Sequence, residues 1–290
     1  MNRTRRFGIG EWYGHSYTGL TARERRAYAV GDDLAQPCPF RLGGGECTKK
    51  GGVCSFRLYE DAGGVTVPVA DAEAGLRVLC PRRFEEEIAI FQWVGEVVLG
   101  TSTPEIATEI GFLKAEGGNT HVGRIDMVLA NQEGGAAVLN WCALEIQAVY
   151  FSGRNMREEF RSIMDYEGES LPFPSHTRRP DYRSSGPKRL MPQLQIKVPT
   201  LRRWGKKMVV VVDKHFFKSL GHMEEVGDLS SGDIAWFTVD FVEADGGERF
   251  RLVRDSIHVT TLERATEGLT GGSPVTLPEF EEGIRSKLAR

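Results

Sequence analysis

Asp126, Glu145 and Gln147 are the residues of this chain whose types and spacing could do chemistry. Asp126 lies in the apolar run Ile125-Asp126-Met127-Val128-Leu129-Ala130, and Glu145 and Gln147 lie in a second run, Ala136 to Tyr150. Between them, Asn131-Gln132-Glu133-Gly134-Gly135 supplies turn residues, and two β-rich runs around such a loop read as a hairpin. A register centred near Gly135 sets Asp126 opposite residues 143 to 145, within about 5–8 Å of Glu145. Glu145 and Gln147 are two apart and so share one face of their strand. A carboxylate in an apolar strand is costly unless compensated, and a bound cation is the usual compensation. Two carboxylates holding Mg²⁺ can activate water and neutralise charge developing on a phosphodiester, which makes a metal-dependent hydrolytic site the first expectation. By itself the pattern is loose, because surface and structural carboxylates match it too.

A second chemical cluster precedes the hairpin. Cys38, Cys47, Cys54 and Cys80 are separated by eight, six and twenty-five residues, with Gly43-Gly44-Gly45 and Gly51-Gly52 between the first three. Glycine turns let a short backbone fold around an ion. Four thiolates suit a tetrahedral structural zinc or iron, although the spacing is not that of a zinc ribbon, and unpaired or disulfide-bonded cysteines are the plain alternative. Cys142, beside Trp141 in the second hairpin strand, reads as a small core residue.

The chain around these residues is that of an ordinary globular protein. Its 290 residues are 40% hydrophobic and 27% charged, enough for one large domain or two. No run approaches the length of a membrane span, and MNRTRRFGIGEWYG has no apolar core of a secretory signal, so a cytoplasmic protein with no membrane partner is expected. A net charge of −3 argues against indiscriminate coating of nucleic acid but leaves specific DNA binding open, since clusters of cations decide that. Such clusters are present: Arg3, Arg5 and Arg6 at the start, Arg41 among the cysteines, and Arg178, Arg179, Arg183 and Lys188 in and after the long Pro- and Arg-rich loop from Ser170 to Pro187. Lys197, Arg202, Arg203, Lys206 and Lys207 continue the basic stretch. The cations of the loop and of this stretch fit phosphate contacts, with a solvated helix face as the plain alternative, and Arg3, Arg5, Arg6, Arg41 and the basic loop are the candidates for contacting bases.

Elements able to position the hairpin can be read on both sides of it. Phe84, Ile88, Phe91, Val94 and Val98 recur at three- and four-residue spacing, which predicts an amphipathic helix after Pro81 with Glu85-Glu86-Glu87 as its solvated first turn. Thr103-Pro104-Glu105 reads as a short helical turn and Ile110 to Glu116 as a first strand, joined by Gly117-Gly118-Asn119 to the strand of Asp126. A helix is expected from Arg154 to Met164. Met208 to Val212 predicts a strand buried on both faces, followed by a helix at Lys214 to Leu220, strands at Asp233 to Glu243 and Arg249 to Thr261, and a closing helix from Pro278. Together these give an α/β sandwich. The expected division is an N-terminal arm and cysteine segment over residues 1–81, then a nuclease domain with a C-terminal extension over 82–290.

With these parts in place the chain resembles the NotI-type restriction endonucleases. The likeness rests, in order, on FGIGEWYG, the CPF with its following cysteines, RIDMVL, ALEIQAVYFSG and LQIKVPTLRRWGKKMVVVVDKHFF, which span most of residues 7 to 217. The resemblance implies a restriction-endonuclease-like PD-(D/E)xK core, a central mixed sheet flanked by helices with an N-terminal four-cysteine metal-binding segment. It also implies a homodimer in a prokaryotic cell that cuts short, palindromic, GC-rich double-stranded DNA with Mg²⁺. It makes Asp126 and Glu145 the metal-binding carboxylates, Gln147 the third catalytic position, and Cys38, Cys47, Cys54 and Cys80 the ligands of a structural iron. Many members of the superfamily carry lysine where this chain has Gln147; a glutamine can orient water but supplies no charge. If a cation is needed, a lysine elsewhere must provide it. Two other readings remain open at this stage: a non-catalytic four-cysteine DNA-binding module, and a repair or phage-defence nuclease without dimer or palindrome.

Overall fold

The computed structural model describes residues 4–31, 36–71, 74–118, 120–132, 139–271 and 275–288. Arg3, Asn119 and the hairpin loop from Glu133 to Gly135 lie outside the described residues. In chain order the elements are β1 (Arg5–Trp12), β2 (His15–Ser16), α1 (Ala22–Val30), β3 (Val53–Asp61), β4 (Thr66–Pro68), β5 (Arg77–Val78), α2 (Ala89–Val94), β6 (Glu105–Lys114), β7 (His121–Asn131), β8 (Asn140–Gln147), β9 (Phe151–Ser152) and α3 (Met156–Met164). Then come β10 (Arg179–Pro180), α4 (Tyr182–Ser185), α5 (Met191–Arg203), β11 (Met208–Asp213), α6 (Lys214–Lys218), β12 (Ile234–Ala244), β13 (Arg249–Thr260), α7 (Leu262–Thr270) and α8 (Leu277–Leu288).

The larger sheet runs β13-β12-β11-β8-β7-β6. β11 lies parallel to both β8 and β12, and the remaining pairs are antiparallel, so the sheet is mixed. The unbroken Met208–Asp213 run forms the centre because every one of its residues is buried. One face packs Phe91, Val94 and their neighbours against Met127, Leu129, Leu144, Val209 and Val211. The opposite face packs Leu194, Val198 and Leu201 of α5, with Ala265 and Leu269 of α7, against Val128, Ala143, Val210 and Val212. The expected α/β sandwich with a helix-flanked mixed sheet is what forms.

A second sheet, β2-β1-β3-β4 with β5 also on β3, holds the N-terminal residues. Its core is aromatic, with Trp12 stacked on Phe160 of α3 and Phe56 edge-on to Phe151. What reads in sequence as an N-terminal arm is a sheet with its own core, completed by a helix from beyond the hairpin.

Two local expectations are corrected. The helix after Pro81 is broken: a 3-10 stretch, Pro81–Ile88, gives way to α2 through Glu87 and Ile88 at positive φ. Of its three acids only Glu87 is solvated: Glu85 is buried and accepts from the Leu42 N–H, while Glu86 accepts from the Leu252 N–H. Tertiary partners for the carboxylates override the helical period here. The second correction concerns Thr103-Pro104-Glu105, which leads directly into β6 rather than into a helical turn.

Candidate active site

The β7–β8 ladder ends at the pair Met127–Leu144, and the next residues outward on the two strands are Asp126 and Glu145. The two acids therefore meet where the strands part. On β8 the side chains of Ala143, Glu145 and Gln147 point to one face, and β11 sets Val210 beside Glu145 and Val212 beside Gln147. This is the face that α5 covers.

The depths of the acids differ. The Asp126 side chain is 56% exposed and the Glu145 side chain 9%. Burial pushes the Glu145 carboxyl above the ordinary carboxylate range; the Lys197 ammonium pulls it back, and Asp126 beside it pushes it up again. Lys197 Nζ donates to Glu145 Oε2 at 2.7 Å and stands 3.5 Å from Asp126 Oδ2. Its helix carries it there as part of the buried stripe Leu194, Lys197, Val198 and Leu201, the i, i+3, i+4, i+7 pattern of a core-facing helix side. Gln147, nearly buried, donates through Nε2 to the Ala148 carbonyl at 2.6 Å.

A cleft of about 470 Å³ opens beside Gln147, lined also by Lys49, Leu79, Arg154, Asn155 and Arg178. It joins the end of β8 to the cysteine segment. The donor set at the acid pair, two facing carboxylates with one open to solvent, suits a hard divalent cation that keeps part of its water and takes the rest of its ligands from a phosphate.

The four cysteines come together in two pairs. Pro37 bridges Glu46, and the Cys38 and Cys47 amides donate to Gly45 and Gln36, while the Cys80 amide donates to the Cys54 carbonyl. Burial pushes the Cys47, Cys54 and Cys80 thiols up. A cation is what would favour thiolates there. Lys49 sits among the thiols, with Nζ 2.8 Å from the Leu79 carbonyl. No group of three or more His, Cys, Asp or Glu side chains among the described residues is arranged to hold a metal ion. The thiols thus share a neighbourhood without forming a finished ligand set, and the expected four-cysteine centre is not shown as one.

The basic candidates divide by environment. Arg179, Arg183 and Lys188 lie exposed on the surface. Arg5 pairs with Glu60, Arg41 reaches the Glu46 carbonyl, and Arg6 is held by the Pro174 and Ser175 carbonyls. Arg178 is turned inward, 2.6 Å from Glu159 and buried with it, which fixes the middle of the Pro- and Arg-rich loop to α3. Lys197 is the site residue that sequence reasoning misplaced, as one cation of a basic stretch. The signal was there: Leu194, Val198 and Leu201 recur around it at the spacing of one helix face, with Lys197 on the same stripe.

A model of the family Restriction endonuclease NotI matches residues 25–252. The match takes in all four clustered cysteines, the β7–β8 hairpin, α5 and β11–β12, and it stops within β13, leaving α7 and α8 outside. No curated protein matches the chain.

Proposed function

The chain belongs to the NotI restriction endonuclease family and so is a type II site-specific deoxyribonuclease acting on double-stranded DNA, and we propose that it hydrolyses DNA at Asp126, Glu145 and Gln147 with Mg²⁺, as a homodimer on a short palindromic, GC-rich site. The observation that carries this reading is the meeting of Asp126 and Glu145 on one sheet face, one carboxylate open to solvent and the other held by a buried lysine.

Asp126 and Glu145 would hold the cation. When bound, Mg²⁺ supplies charge neutralisation at the phosphodiester and activation of water. Glu145, fixed by Lys197, keeps its oxygens aimed at the space beside Asp126. Gln147, two residues further along the same face, orients the attacking water through its amide. The exposed Arg179, Arg183 and Lys188 are placed to meet phosphates, which position a protein without reading sequence, whereas Arg or Lys against guanine in the major groove would select GC-rich sites. A two-fold protein on a two-fold site lets each active site cut one strand. The division at residue 81 would then separate a recognition part from a nuclease part. Cys38, Cys47, Cys54 and Cys80 would hold one structural iron or zinc; the support is their pairing on adjoining backbone and the soft character of thiolate donors.

The direct test is incubation with phage DNA and Mg²⁺. Discrete fragments, lost on chelation, are expected. A smear would indicate a nonspecific nuclease, and intact DNA in Mg²⁺ would overturn the hydrolytic assignment.

A further inference from the structure

We infer that Lys197, delivered by α5 and not by the strand of Glu145, is the cation of this active site, positioning Glu145 and Asp126 and carrying the positive charge that Gln147 lacks. The inference rests on the proposed carboxylate site and goes beyond it in adding a fourth residue from a different element.

Three observations carry it. First, one ammonium reaches both acids, at 2.7 Å from Glu145 and 3.5 Å from Asp126, and it is the partner in every ion pair the two acids make among the described residues. Second, Lys197 is 2% exposed and occupies a stripe otherwise built of Leu194, Val198 and Leu201. A leucine or methionine would fill such a position without the desolvation cost of an ammonium, and a buried pair is weak evidence for stability alone. Third, Gln147 lies two residues beyond Glu145 on the same sheet face, about 7 Å along the strand, so a lysine there and Lys197 could serve the same space from two directions.

Charge gives the reason for an ammonium. Two carboxylates, one phosphodiester and one divalent cation together leave a unit negative charge, and a protonated Lys197 cancels it. Attack on phosphorus adds negative charge to the phosphoryl oxygens, so the cancelled state is the one that favours reaction. Lys197 transfers no proton in this scheme; it acts by position and charge.

The test uses the full chain in four forms: wild type, Lys197→Met, Lys197→Met combined with Gln147→Lys, and Asp126→Ala. Cleavage of phage DNA is read as a single-turnover rate, Mn²⁺ binding by calorimetry without DNA, and folding by thermal unfolding. Lys197→Met should cut at least about 100-fold more slowly. It should still bind Mn²⁺ within about tenfold of wild type, since both carboxylates remain and lose a competing cation even as Glu145 loses its hydrogen bond; loss of Mn²⁺ binding altogether would mean that Lys197 only holds the fold and would overturn the inference. The double variant should regain at least about tenfold of the lost rate, because the ammonium returns from the other element. If Lys197→Met alone fails to fold, the double variant decides: cleavage supports the inference, and absence of cleavage, folded or not, overturns it. A single variant cutting within about threefold of wild type overturns it as well. Asp126→Ala keeps the two readings apart: if it still cuts, the carboxylate site itself is wrong, whereas an inactive Asp126→Ala beside an active Lys197→Met removes only the role of Lys197.

Discussion

Glu11, Glu145 and Asp213 are all buried, and each is answered by a different partner. Glu145 has the ammonium of Lys197, Glu11 the guanidinium of Arg83, and Asp213 the Val78 and Phe216 amides. Asp213 caps α6 and sits one residue past Val212, the β11 neighbour of Gln147. Burial pushes its carboxyl up to about 6, against the opposing pull of the Phe216 amide and Arg77. The folded chain therefore holds this proton more tightly than the unfolded chain, whose carboxyl titrates near the ordinary value of 3.8. The stability from this group is complete below the unfolded value and lost as pH rises through the folded one. Denaturant unfolding at pH 8 and pH 5 should find wild type gaining roughly 1–2 kcal/mol relative to Asp213→Asn on acidification; a gap that does not move with pH would contradict the assignment. At this scale Asp126 and Glu145 were legible, because acids inside apolar strands stand out in any reading. Lys197 was not, because a lysine in a basic stretch is ordinary until the helix it belongs to is turned so that its stripe faces the sheet.

Among the elements, the central strands declared themselves and the segment from Pro81 to Leu99 did not. Val209 to Val212 could hardly be anything but a strand buried on both faces, and the β12–β13 pair and α3 follow their sequence periods closely. The segment after Pro81 has a helical period, yet it is broken at Glu87 and Ile88, where side-chain partners decide the path. Arg83 is fully buried against Glu11 of β1 at 3.0 Å, pairs with Glu86, and donates to the Phe250 carbonyl of β13 at 2.8 Å. That one guanidinium ties the N-terminal sheet to the edge of the larger one, a contact between residues so far apart in the chain that no local pattern reports it. Removing a single partner leaves a buried charge unanswered. Arg83→Met should cost about 3–5 kcal/mol in equilibrium unfolding, and Arg83→Met with Glu11→Leu should cost less than the two single changes added together. Additive losses would show that the pair is not coupled.

Over the whole molecule, the two sheets frame one cleft, with Gln147 at one side and Lys49 and Leu79 of the cysteine segment at the other. A metal-organised cysteine segment would thus border the proposed hydrolytic face directly. Elemental analysis should find about one iron or zinc per chain, lost in Cys54→Ser together with part of the thermal stability, since metal binding is folding free energy; a fully folded wild-type protein free of both metals would contradict the four-cysteine proposal. No described helix is long and apolar enough to cross a membrane. The helices α7 and α8 lie beyond the family match, and α8 buries none of its residues.

The central claim is that Asp126 is a cation-holding carboxylate of a DNA-cutting site and not a surface acid. Its half-exposed side chain makes Asp126→Ala a mild change for the fold, so chemistry can be separated from folding. The measurement is single-turnover cleavage of phage DNA in Mg²⁺ by Asp126→Ala, beside its DNA affinity measured in Ca²⁺. Cleavage should be abolished while affinity stays within about threefold of wild type, and cleavage at the wild-type rate would contradict the account.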